Sequence, residues 1–149
     1  MKIVFDTNIY IAAALNRGFI HRLVQEIVTD REMQVFISKD IIVELQNKMG
    51  IFLNKGLIQP YNVVYVFETI RASTQTVEPK EQISVQEVAS DDFKILECAV
   101  AAEADLIVTM DQVLLRLKRF RNIGIVHPKT FSFMFPQKWS LESNLILKF

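Results

Sequence analysis

The amino-acid sequence predicts an α/β protein: a three-layer α/β/α sandwich around a central, mainly parallel sheet of about five strands. Three observations lead there. Short runs rich in Val, Ile and Phe stand at residues 2–5, 33–37, 106–108 and 123–126, and segments of helical spacing separate them. These runs are largely apolar rather than alternating, the pattern of strands covered on both faces. Half of the 149 residues are hydrophobic and the mean hydropathy is +0.22, so the chain can fill a sizeable core.

Taken in order, residues 2–5 form a buried strand that runs straight into Asp6. Ile9, Ala12, Ala13 and Leu15 then recur at near-helical spacing, and Asn16-Arg17-Gly18 reads as a helix stop. Phe19, Ile20, Leu23, Val24, Ile27 and Val28 make the apolar stripe of a second helix. After the strand at 33–37, Ser38 is a good N-cap, and Asp40 stands in the first turn, where the helix dipole favours an acid. Ile41, Ile42 and Leu45 form the buried stripe of this third helix, with Glu44 beside it.

Residues 47–59 are polar and mixed, with breaks at Gly50 and Gly56, and their pattern chooses neither helix nor loop. Beyond Pro60, Val63, Val64, Phe67 and Ile70 predict another helix; residues 74–77 have weak strand character, and 78–90 form a charged connector. Residues 91–103 predict a strong helix whose small alanines allow close packing. The strand at 106–108 leads to Thr109-Met110-Asp111, and a short helix over 113–119, a last strand over 123–126 and a helical segment over 130–134 follow. Residues 1–135 thus read as one domain. Residues 136–149, with Trp139 and several Leu and Ile side chains, read as a tail that packs on the domain or on a partner. Alternation of strands with helices argues for parallel pairing and right-handed crossovers.

Composition narrows the function. Seventeen basic residues balance seventeen acidic ones, so a nucleic-acid role needs a local site rather than a global field. The single Cys98 excludes an intramolecular disulfide and suits a reducing, cytoplasmic setting; it falls on an apolar helix face and reads as core. Asp6 and Asn8 interrupt the N-terminus too early for a signal peptide, and no apolar run approaches the ~20 residues of a membrane helix. There is no Walker phosphate loop and no GxGxxG. His21 and His127 lie far apart and support no acid/base mechanism.

Asp6 and Asp111 both stand at the ends of apolar strands, at one sheet edge if the strands are parallel. Singly, each reads as a turn or helix cap; as a pair in the same context they point to a shared site. Asp92, beside Asp91, lies in a first helical turn, where acids favour the dipole. Glu44 lies about two turns beyond Ser38, too far in for capping. Convergent carboxylates raise one another's pKa, and a hard divalent cation relieves the repulsion. Such a site suits phosphoryl chemistry, because the metal generates the nucleophile and neutralises phosphate oxygens without a general base from the protein. Arg116, Lys118, Arg119 and Arg121, just after Asp111, are candidate contacts for nucleic-acid phosphates; the alternative is a solvated helix face followed by a basic turn.

The segments Phe5-Asp6-Thr7-Asn8, Ser38 through Glu44, Asp91-Asp92-Phe93-Lys94-Ile95-Leu96-Glu97-Cys98-Ala99 and Ile107-Val108-Thr109-Met110-Asp111 occur in the order of the PIN-domain nucleases. The chain resembles the bacterial and archaeal branch of that family that includes VapC-type toxins, from Lys2 to about Phe135. The resemblance implies catalytic carboxylates and metal ligands at Asp6, Glu44, Asp92 and Asp111, with Asn8 and Thr109 in support. It implies a Mg2+- or Mn2+-dependent endoribonuclease, often a homodimer and often inhibited by an antitoxin. Two positions depart from the family: Ala89-Ser90 replaces an Asp-Pro run before Asp92, and Phe93 replaces a small polar residue after it. Both bear on the helix start and substrate access rather than on a ligand.

Two other functions fit parts of the pattern. A phosphoacceptor receiver-like signalling module also uses strand-end aspartates and Mg2+, and Lys129 suits it. It would want an acidic pair after the first strand, and it gives Glu44 and Asp92 nothing to do. A catalytically inactive PIN-fold module that binds RNA or protein is the other; retention of all four carboxylates argues against it.

Overall fold

The computed structural model describes residues 1–15 and 18–135. Six strands form one sheet in the order β3-β2-β1-β4-β6-β5. These are β1 (Lys2–Phe5), β2 (Gln34–Ser38), β3 (Thr74–Val77), β4 (Leu106–Val108), β5 (Arg119–Phe120) and β6 (Ile123–Val126). All neighbours pair in parallel except β5 and β6, which are antiparallel. The central strands are buried because their residues are apolar on both faces: Ile3, Val4, Ile37, Ile107 and Val108 are fully enclosed.

The helices are α1 (Thr7–Ala14), α2 (Gly18–Thr29), α3 (Lys39–Asn54), α4 (Pro60–Ser73), α5 (Phe93–Ala101), α6 (Gln112–Leu117) and α7 (Pro128–Met134). Side-chain caps start four of them at the carboxyl edge of the sheet, His127 before α7 among them. Asp6 caps α1, Ser38 caps α3 and Asp111 caps α6, so each strand ends on the residue that begins the next helix, or one or three residues before it. The chain travels outward from β1 through β2 to β3, then crosses back to β4 on the other side of β1. Right-handed crossovers therefore put α5 on the face opposite the helices that connect β1 to β2 and β2 to β3. The edge between β1 and β4 is the point where the direction of winding reverses, the place where open parallel sheets hold their ligands.

Several elements depart from the sequence expectation. The undecided stretch 47–59 is helical to Asn54, because α3 runs through Gly50 with Met49 buried in the core. The penalty of about 1 kcal/mol for a helical glycine is offset by that packing. Residues 90–92 form a 3-10 turn rather than the first turn of α5. The expected helix 113–119 stops at Leu117, where Lys118 takes φ +59° and turns the chain into β5, a sixth strand of two residues. The expected stop at 16–18 falls partly outside the described residues, as does the whole tail 136–149.

Candidate metal and phosphodiester site

Asp6 continues β1 by donating its backbone N–H to the Val108 carbonyl at 3.0 Å, which seats it beside the end of β4. Its side chain is only 5% exposed, and burying a carboxylate demands partners. Oδ1 accepts from the Thr7 amide at 2.7 Å, and Oδ2 accepts from the Thr109 hydroxyl at 2.7 Å. Burial raises the Asp6 pKa above the ordinary aspartate value; the Thr109 and Thr7 hydrogen bonds and the Lys48 charge oppose the rise, and Asp111 adds to it.

Thr109, fully buried, ties the two strand ends together. Its amide donates to the Val126 carbonyl, and its Oγ1 accepts from the Asp111 amide at 2.9 Å while donating to Asp6. Asp111 caps α6 by accepting from the amides of Val113 at 2.8 Å and Leu114 at 3.4 Å. Asp92 comes from the opposite face of the sheet, in the 3-10 turn before α5. Its pKa is pushed up to about 6, first by desolvation, then by the charges of Asp111 and Asp6, by a side-chain hydrogen bond with Asp111, and by Glu44. The four carboxylates expected from sequence thus share one electrostatic neighbourhood. Asp91, next to Asp92, is exposed.

Glu44 is held by two cations. Lys48, one turn further along α3, approaches Oε1 at 3.1 Å, and Lys94 from α5 approaches Oε2 at 3.3 Å. Lys48 also donates to the Thr7 hydroxyl at 3.2 Å. Sequence reasoning passed over Thr7 and both lysines. The i,i+4 spacing of Glu44 and Lys48 was a readable signal; the approach of Lys94 was not, because it depends on α3 and α5 meeting across the sheet edge.

The donor set suits a hard cation: it is all oxygen, and its mutual repulsion is what such an ion relieves. Asn8 adds an orphaned acceptor, since its buried Oδ1 meets no hydrogen-bond donor among the described residues. Among the described residues, no three His, Cys, Asp or Glu side chains are gathered tightly enough to hold an ion unaided. Mg2+ does not require that, because it keeps several of its waters.

The basic residues after Asp111 separate. Arg116 lies in the last turn of α6. Arg119 pairs with Gly124, which is level with Leu106 at the start of β4, so Arg119 and the following Arg121 stand at the end of the sheet away from the carboxylates. Arg121 is also engaged by both carboxylate oxygens of Glu81. The structure therefore does not bring those two arginines to the carboxylate edge, and Lys118 begins the turn that leads away from it. His127 caps α7 through Nδ1, and His21 bonds the Ala13 carbonyl at 2.9 Å, so both histidines serve structure. Cys98 is buried, and its thiol is pushed up to about 12 by desolvation.

The fold is an α/β domain with a mostly parallel sheet, and carboxylates from four of its connections lie near the point where the winding reverses. A family profile for the PIN domain matches residues 2–113, and the chain belongs to that family. No curated protein matches the sequence. Among solved structures, the fold is similar to a chain of VapBC2 from Rickettsia felis bound to a DNA fragment from their promoter. The TM-score is 0.58 at 15% identity, covering 85% of this chain and 98% of that one. Among the described residues, no helix is long and apolar enough to cross a membrane.

Proposed function

We propose that the protein is a Mg2+- or Mn2+-dependent endoribonuclease that cleaves RNA phosphodiesters. The observation that carries this reading is the placement of Asp6 and Asp111 at the reversal point of the sheet, with Asp92 and Glu44 in their field. Asp6, Asp92 and Asp111 would hold the metal, with Glu44 as a direct or water-mediated ligand. Such an ion supplies charge neutralisation at the phosphate and an activated water. The protein's own groups do the rest. Thr109 and Thr7 keep Asp6 fixed and oppose the rise in its pKa, the α6 amides orient Asp111, and Asn8, in the first turn of α1, carries a buried acceptor without a donor among the described residues. Arg116 is the basic residue after Asp111 best placed to meet RNA phosphates, being on the helix that starts at the site.

The biological role that fits is the toxin of a cytoplasmic toxin–antitoxin pair, working as a homodimer and restrained by an antitoxin protein. Similarity of fold to a chain of the VapBC2 assembly supports that role. The test is cleavage of a panel of structured and single-stranded RNAs in Mg2+, Mn2+ and EDTA, with Asp6→Asn beside wild type. Metal-dependent cleavage that vanishes in the variant is the expected result. Cleavage that survives Asp6→Asn, or none in any metal together with no metal binding, would overturn the nuclease and favour the inactive binding module. Expression alone should arrest growth; normal growth at confirmed expression counts against the toxin role.

A further inference from the structure

A groove of about 870 Å3, lined by Glu44 of the candidate site, opens between α3, the connector around Ile83 and α5. Lys39, Lys48 and Lys94 line it, and so do Asp40, Glu44 and Glu97, so its formal charge is zero. A neutral groove is a poor track for a polyanion. Yet its walls otherwise suit an unpaired strand: Phe93 offers an aromatic ring, and Val43 and Ile51 leave apolar surface open to solvent. The two lysines nearest the carboxylates are both spent on Glu44, one on each oxygen.

We infer that Lys48 and Lys94 form a latch on Glu44 that couples cation binding to nucleic-acid binding in this groove. The inference rests on the nuclease reading and adds an order of events to it. While Glu44 is free of metal, it occupies both ammonium groups. A divalent cation that takes Glu44's charge releases them. The groove then gains positive wall where a single strand's backbone phosphates pass, and Phe93 is left to stack a base.

The test measures binding of a short fluorescent 2′-O-methyl oligonucleotide, which carries the backbone phosphates, and gel analysis confirms that it stays intact through the measurement. Anisotropy is read in Mg2+ and in EDTA at matched ionic strength. Divalent ions ordinarily weaken protein–nucleic acid contacts by screening, so the predicted sign is the unusual one: the wild type binds more tightly in Mg2+. Glu44→Gln binds in EDTA on the order of tenfold more tightly than wild type, with about two more phosphate contacts in its salt slope. It gains nothing further from Mg2+. Lys48→Gln combined with Lys94→Gln binds weakly in both conditions, and adding Glu44→Gln to that pair restores nothing. The latch is overturned if Glu44→Gln matches wild type in EDTA. It is equally overturned if the gain persists without the lysines, since removal of one acidic charge would then explain it. All three positions are partly exposed and the replacements near-isosteric; circular dichroism checks that each variant is folded. Cleavage by the wild type is scored separately, so its absence strikes the nuclease reading and a flat Glu44→Gln result strikes the latch alone.

Discussion

The Thr109 hydroxyl donates to Asp6 Oδ2 at 2.7 Å while accepting from the Asp111 amide at 2.9 Å, so one buried side chain sets the spacing of two carboxylates that stand 105 positions apart in the chain. Thr109→Val keeps the shape and removes both bonds. An unsatisfied buried acceptor costs about 1–3 kcal/mol, so the variant should melt at lower temperature. It should also bind Mn2+ more weakly at neutral pH, because the hydroxyl opposes the rise in the Asp6 pKa. Thr109→Ser should restore both properties. Thermal melts and Mn2+ titration check this; an unchanged Mn2+ affinity in Thr109→Val would remove Thr109 from the site.

Asp111 has two separable duties. Asparagine caps a helix about as well as aspartate, whereas alanine at such a position costs about 0.5–2 kcal/mol. Asp111→Asn should therefore keep near wild-type stability and lose metal binding and cleavage. Asp111→Ala should lose stability as well. Equal stability of the two variants would mean that the bonds to Val113 and Leu114 contribute little.

The raised pKa of Asp92 makes metal-free stability depend on pH. The unfolded side chain titrates near 3.8 and the folded one near 6, so the native state holds the proton more tightly across that window. Its contribution is fully present below pH 3.8 and is lost as pH rises through about 6. Asp92→Asn should remove this fall, and the difference between the two denaturation curves isolates it from the exposed acids Glu68 and Glu81, whose pKa values are lowered. Because the cation takes the ionised form, Mn2+ should stabilise wild type more strongly at pH 7 than at pH 5. A pH-independent Mn2+ effect would place Asp92 outside the metal site.

Among the basic residues, Arg116→Gln should weaken RNA binding and lower its salt slope by about one. Arg121→Gln should leave both unchanged, since its guanidinium is already held by Glu81 and its backbone follows β5 at the far end of the sheet. Salt titration of both variants checks the assignment; a reduced slope for Arg121→Gln would mean that RNA reaches that end.

The residues themselves determined much of this protein. The apolar runs at β1, β2 and β4 are covered on both faces, whereas β6 alternates buried and half-buried residues. Asp6, Ser38 and Asp111 stand where strand periodicity gives way to helical spacing, and all three cap the helices that follow. Asp6 and Asp111 were therefore visible as a pair of candidates, each with a capping duty that would explain it alone, and Glu44 and Asp92 joined them through the resemblance to the PIN-domain family.

Other features belonged to tertiary structure. Strand order is not written in any local pattern, and only the return of the chain to β4 beside β1 puts Asp6 next to Thr109 and Asp111. The continuation of α3 through Gly50 was decided by packing of Met49, which outweighs a local helix penalty. The turn at Lys118, which carries Arg119 and Arg121 away from the carboxylates, depended on β5 finding β6 as a partner. The capture of Glu44 by Lys94 needed two helices from opposite sides of the sheet to meet at its edge. Periodicity and capping act within a few residues along the chain and so can be read from it. Charge pairing and burial act over a few ångströms in space, and which distant residues come that close is set only once the core has packed.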